Sequence, residues 1–169
     1  MRYAFDHRGA VTGRNWSRRS LKALHEIAAI GVGGGLAACL VIGLTANGAS
    51  AVEFVAARQA IAAIARYVLL PSLALVLVTG LLAIAAIRGY HDAGWAWVKA
   101  LLGLGLFEAT LVTVGASSRQ AELAAAAADP NLLASLLHSE RNTLLLLLGI
   151  SVANVVLAVW RPKLMVKIR

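Results

Sequence analysis

Charge is what this sequence has least of. Of 169 residues only 14% are charged while 60% are hydrophobic, and acids are scarcer than bases, eight Asp and Glu against sixteen Lys and Arg. Ordinary soluble domains are about a quarter charged, so a water-facing globule is excluded. There is one cysteine, Cys39. It allows no internal disulfide, no CxxC pair and no Cys/His zinc spacing, and within an apolar run it reads as a small packing residue. Three prolines leave long stretches open to uninterrupted helix. No Walker loop, dinucleotide fingerprint or GxSxG elbow occurs, so no soluble-enzyme mechanism is legible. Aromatic residues make up 6% and do not interleave with the basic ones, which excludes a nucleic-acid face as the reason for the +8 charge.

What the chain has is four apolar runs. Ile27–Leu44, Val68–Ile87 and Thr143–Trp160 contain no charge, and Trp95–Gly115 contains only Lys99 and Glu108. Each approaches the ~20 residues that cross a ~30 Å hydrocarbon layer as a helix. Backbone groups in lipid must satisfy one another, and no period-2 alternation marks a barrel strand. The expected fold is therefore all-α, a bundle of four transmembrane helices over Leu21–Thr45, Tyr67–Ile87, Trp95–Gly115 and Thr143–Trp160. Ser17-Arg18-Arg19-Ser20-Leu21-Lys22 looks like a twin-arginine export signal, and Ala49-Ser50-Ala51 can be read as an A-x-A cleavage site. The apolar run between them exceeds the ~7–15 residues usual in a signal peptide, so it reads as a retained span. An uncut insertion signal stays open.

Basic residues set the orientation. Eleven of the sixteen fall before the first span, in the second connection or after the last span, four fall on the other side, and Lys99 lies within a span. Both termini are expected in the cytoplasm, in a multi-pass protein of the inner membrane. Residues 1–20 form a basic tail, 21–162 the membrane domain and 163–169 a second basic tail. Lipid is the expected partner, and the tails suit anionic headgroups. Gly89–Gly94 is a tight cytoplasmic turn. Val52–Arg66, whose Arg58 and Arg66 are too costly deep in lipid but acceptable at the interface, and the segment from Asp129 read as periplasmic helical extensions before spans two and four. Asp129-Pro130 supplies an N-cap and a first-turn proline, and Leu132, Leu133, Leu136 and Leu137 share one face. Pro71 removes a hydrogen bond to the Tyr67 carbonyl and should kink the second span.

Polar groups at membrane depth are the functional candidates. His25 and Lys99 each lie about one turn inside the cytoplasmic start of their helices, one a ligand for haem iron or another metal, the other a partner for a propionate or other carboxylate. Both can also be read as interfacial residues, the lysine snorkelling outward. Glu108 lies nine residues beyond Lys99, about 13–14 Å along the axis and half a turn round it. It is expected as a buried acid bonded to Ser151 or Asn154 on the fourth helix, or as a proton carrier. Gly31 and Gly35 form a GxxxG with Gly33 and Gly34 beside it. Such a face allows close helix packing or makes room for a flat macrocycle.

Leu21-Lys22-Ala23-Leu24-His25, Pro71 followed by Thr79-Gly80-Leu81-Leu82, and Gly94-Trp95-Ala96-Trp97-Val98-Lys99 resemble a family of four-helix integral membrane proteins. That family is distantly similar to the copper-resistance D membrane domain and to the membrane-embedded protoporphyrinogen oxidase that binds haem b. The resemblance implies functional positions at His25 and Lys99. The oxidase's later third-helix histidine has no counterpart here, Glu108 standing nearby, and its R-x-x-N-E signature is reduced to Arg141-Asn142. Two functions follow: a haem b-binding protein with a redox or porphyrin-related role, or a non-catalytic small subunit or assembly factor of a larger membrane complex, with homo-oligomers also open. A metal permease ranks below them, because no Met/Cys/His cluster lines the spans.

Overall fold

A computed structural model describes residues 7–46, 50–91, 93–113 and 129–160. Side chains are described from Arg19 onward, apart from those of residues 51, 88, 91 and 113. The chain is all-helical, and four helical stretches, Arg19–Thr45, Val52–Ala86, Gly94–Val112 and Pro130–Trp160, are long and apolar enough to cross a membrane. At most about a quarter of each such window is buried within the chain (28%, 22%, 22% and 11%). Ile30, Val41, Val78, Leu101, Leu146 and Val159 stand exposed on the outside. An apolar exterior of this extent suits lipid.

Helix α1 spans His7–Thr45. The residues read as an N-terminal tail are thus helical from His7, and the part of this helix apolar enough to cross a membrane, Arg19–Thr45, lies close to the expected Leu21–Thr45. Once a helix has nucleated, extending it adds one hydrogen bond per residue without a new nucleation cost. Helix α2, Ala51–Ile64, opens with Ser50 as N-cap in a capping box. The Ser50 amide donates to Glu53 Oε2 at 2.9 Å, and the Glu53 amide reaches back to the Ser50 hydroxyl at 3.4 Å.

The chain then runs through one π-helical turn, Ala65–Leu69, into α3, Leu70–Ala86. Here Leu70 N–H donates to the Ala65 carbonyl, five residues back. The irregularity falls in the turn before Pro71, where proline cannot supply its own donor. Helix α4, Arg88–His91, makes the tight connection, with Tyr90 edge-on to Trp95 at 5.5 Å between centroids. Helix α5 is Gly94–Thr113 and α6 is Pro130–Trp160. The expected cap of α6 is present: Asp129 Oδ1 accepts from the amides of Asn131 at 3.0 Å and Leu132 at 3.3 Å. On the expected leucine face beyond it, Leu133, Leu136 and Leu137 are half-buried and Leu132 is exposed. The alanine run after Glu122, Arg119, Gly115 and the C-terminal tail lie outside the described residues.

The spans pack in a ring, α1 on α3, α3 on α5, α5 on α6 and α6 back on α1. Val32, Leu36 and Cys39 of α1, Leu73 of α3, Leu106 of α5 and Leu144 and Leu147 of α6 form its core, together with Ile61, Ala65 and Leu69 from the stretch preceding α3. The glycine face of α1 is filled by its neighbour. A Cβ at Gly35 would stand 2.6 Å from Leu69 Cδ2, and one at Gly31 would meet the Ser72 side chain. This is the close-packing use of GxxxG, and at Gly31 and Gly35 it leaves no room for a macrocycle.

Candidate functional site

His25 lies half-buried on α1 and leans on α3. A Cβ at Gly80 would stand 3.6 Å from His25 Cε1, so the absence of a side chain there gives the ring its berth. His25 Nδ1 is 2.8 Å from Thr79 Oγ1. Thr79 is buried, and its hydroxyl donates to the Leu75 carbonyl at 2.6 Å, with the Val76 carbonyl 3.2 Å away. A hydroxyl has one proton. With that proton on a carbonyl, Thr79 Oγ1 can only accept from the ring. Nδ1 is therefore the protonated nitrogen, and the lone pair of the neutral imidazole is on Nε2. Fixing the tautomer through the far nitrogen is how proteins orient a ligating histidine. Thr79 was not singled out as a site residue from sequence. Its signal was its place four residues after Leu75, where threonine back-bonds within a helix.

Lys99, half-buried on α5, stands close enough for its charge to act on the His25 ring, as does that of Glu26, its neighbour in sequence. The two positions implied by the resemblance thus share a neighbourhood. It is not a slot between adjacent first and third spans. In the ring α1 and α5 lie across from each other, and α3 adjoins both; His25 is held by α3.

Glu108 requires a correction. It is exposed, not buried. The buried stripe of α5 is Gly103, Leu106 and Thr110, and Glu108 is two residues, about 200°, round from Leu106. Ser151 and Asn154 of α6 are half-buried, and Asn154 Oδ1 has no partner among the described residues. Glu108→Leu should therefore leave stability in detergent within about 0.5 kcal/mol of wild type, as for other surface changes. Thermal unfolding of the purified protein checks this, and a loss above about 1 kcal/mol would place the carboxyl in a contact.

Sequence reasoning also missed a second polar centre. Arg58, expected at a membrane interface, is buried against Glu140 of α6, with Arg58 Nη1 2.5 Å from Glu140 Oε2 and Phe54 beneath the guanidinium at 5.6 Å. Each lies in phase with a buried stripe that only the packed structure reveals. Arg58 leads the buried stripe Ile61, Ala65, Leu69, and Glu140 leads Leu144 and Leu147. Among the described residues no three His, Cys, Asp or Glu side chains gather to hold a metal ion.

No protein-family model, curated protein or solved structure matches this chain.

Proposed function

We propose that this chain is a multi-pass inner-membrane protein that holds haem b through His25, in a redox or porphyrin-related role. The observation that carries the reading is the Thr79 contact. It keeps the proton on Nδ1 and points the electron pair to Nε2, as an axial ligand requires. The residues fit one histidine ligand with a nearby cation for a propionate, and Lys99 would serve as that cation. When bound, the group would supply one-electron chemistry; the chain would orient the imidazole, balance a propionate charge and exclude water with α3.

Detergent-purified protein supplemented with haem should show a Soret band. His25→Ala should lose it, Thr79→Val should weaken haem affinity by about 10–100-fold, and Lys99→Ala should weaken binding without abolishing it. A colourless wild-type protein, or a His25→Ala variant with an unchanged spectrum, would overturn the reading.

A second reading, a small subunit of a larger complex, is favoured by one observation. Gly33, Gly34, Gly105 and Gly149 face open space, with nothing within 4 Å of an added Cβ, so α1, α5 and α6 retain small-residue surfaces that a neighbouring helix could meet. In either case both termini are proposed to face the cytoplasm, with the ends of the ring near Ser50 and Asp129 outside. Reporter fusions at the C-terminus and within 124–129 test this, and a periplasmic signal from the C-terminal fusion would reverse it.

A further inference from the structure

Helix α6 turns one face toward α1. Ala134, Leu137, His138, Arg141 and Leu144 recur on it at i, i+3, i+4, i+7 and i+10, and all five line a cavity of about 150 Å³. Leu40, Gly43 and Leu44 of α1 form the opposite wall, and Gly43 has no side chain to narrow it. The lining is thus apolar except at one level. There His138 and Arg141, three residues apart, bring two N–H donor groups onto one face, with about 5–6 Å between their Cβ atoms. Both are exposed, so a ligand can reach them. Glu140 also belongs to the wall. Its charge is met by Arg58, and its second oxygen is buried, as is the free edge of Arg58; neither offers an outside ligand an atom. The charge that the cavity presents is that of Arg141.

Depth says where a ligand would come from. Glu140 is level with Arg58, which it meets. Arg58 stands eight residues before Arg66 on one continuous helical stretch, about 12 Å along the axis. Arg66 and Tyr67 are exposed, with the guanidinium 5.6 Å from the ring centroid, and tyrosine is enriched at the membrane–water interface. Headgroups occupy about 5–8 Å beyond the hydrocarbon. Arg141 lies one residue inward of Glu140, and its long side chain reaches that layer. On the same side of α6, Leu145 is exposed and Leu148 half-buried, so an apolar path continues inward from the cavity.

We propose that this cavity holds one monoanionic phospholipid, of the phosphatidylglycerol class, from the leaflet at the Ser50 and Asp129 end of the bundle. The phosphodiester oxygens accept from Arg141 and His138. One acyl chain starts in the leucine-lined hollow, where a cavity of this size admits a benzene-sized hydrocarbon, and runs inward past Leu145 and Leu148. Charge selects the headgroup. A single phosphodiester charge balances Arg141, whereas phosphatidylethanolamine brings an ammonium to the same two donors. The inference rests on the membrane reading and is independent of haem.

The test is photolabelling of the full chain in phosphatidylcholine nanodiscs doped with phosphatidylglycerol that carries a diazirine near the carboxyl end of one acyl chain. Label is expected to concentrate in peptides covering 37–45 and 137–148. Unmodified phosphatidylglycerol should suppress it, and phosphatidylethanolamine should do so about fivefold less well, the worth of one basic residue on an anionic headgroup. Inorganic phosphate and glycerophosphoglycerol, which lack acyl chains, should not suppress it. Arg141→Gln/His138→Gln changes two exposed side chains; it should stay monodisperse on gel filtration and lower the label by about fivefold or more. Arg66→Gln, outside the cavity, should leave the label unchanged. Four results would each overturn the site while leaving the chain in the bilayer: label spread evenly over the spans, phosphatidylethanolamine competing as well as phosphatidylglycerol, suppression by phosphate or glycerophosphoglycerol, or a double variant labelled like wild type. A chain that stays out of the nanodisc would overturn the membrane reading itself, and the site with it.

Discussion

Glu140→Leu should lower the stability of the detergent-solubilised protein by about 3–5 kcal/mol, the usual cost of removing one partner from a buried ion pair. Glu140 Oε2 is the only acceptor that the described residues offer Arg58. Without it a guanidinium at 7% exposure remains desolvated and unbalanced between α1, α2 and α6. Arg58→Met should be comparably harmful, because it strands the Glu140 carboxylate. The double variant Arg58→Met/Glu140→Leu should recover most of the loss, since an apolar pair of similar volume often equals or exceeds a buried ion pair. Denaturant titrations of the four proteins form the double-mutant cycle. Additive losses in the double variant would mean that the two side chains do not act as a pair.

The second large effect is at Gly35. Its missing side chain faces Leu69, which is completely buried in the core at 0% exposure. An added methyl would lie 2.6 Å from Leu69 Cδ2 and 3.0 Å from its Cγ, so α1 and the π-turn must separate or Leu69 must leave its rotamer. Overpacking of this kind costs about 1–3 kcal/mol, and Gly35→Ala should show it. Gly33→Ala and Gly34→Ala supply the contrast. Nothing lies within 4 Å of either added Cβ, so both should be neutral or stabilising by a few tenths of a kcal/mol through helix propensity, for which glycine is up to about 1 kcal/mol worse than alanine. Equal losses at all three positions would show that helix geometry, not the contact of α1 with Leu69, sets the requirement for glycine.

The four spans, the Asp129 cap and the tight α3–α5 connection were readable from run length, cap chemistry and turn residues. The facing of each helix was harder to read. In a soluble bundle the outward side is polar and the apolar stripe marks the core. Here both sides are apolar, so Ile30 at 73% exposure and Leu36 at 0% look alike in sequence. Glu108 was placed inside for that reason: depth could be counted in residues, but azimuth needed the Gly103, Leu106 and Thr110 stripe. Arg58 was misjudged differently. Its cost in lipid was weighed without the possibility of an acid 82 positions away, which no local pattern encodes. His25 and Lys99 came from resemblance. Thr79, which decides the imidazole tautomer, is one more hydroxyl in an apolar run until the second helix is laid beside the first.

The separation between Arg58 and Glu140 along the chain also has a bearing on biogenesis. At about 5–20 residues per second of synthesis, roughly 4–16 s pass between their emergence from the ribosome. By the end of that time the first three spans are made, yet the surface of α1 that will meet α6 has no occupant and the guanidinium has no counter-charge. The nascent molecule must either keep Arg58 in the aqueous path of the insertion machinery or shield it with a chaperone until the last helix arrives. Chains truncated before α6 should therefore be recognised as unfinished and degraded, because their arginine is unpaired.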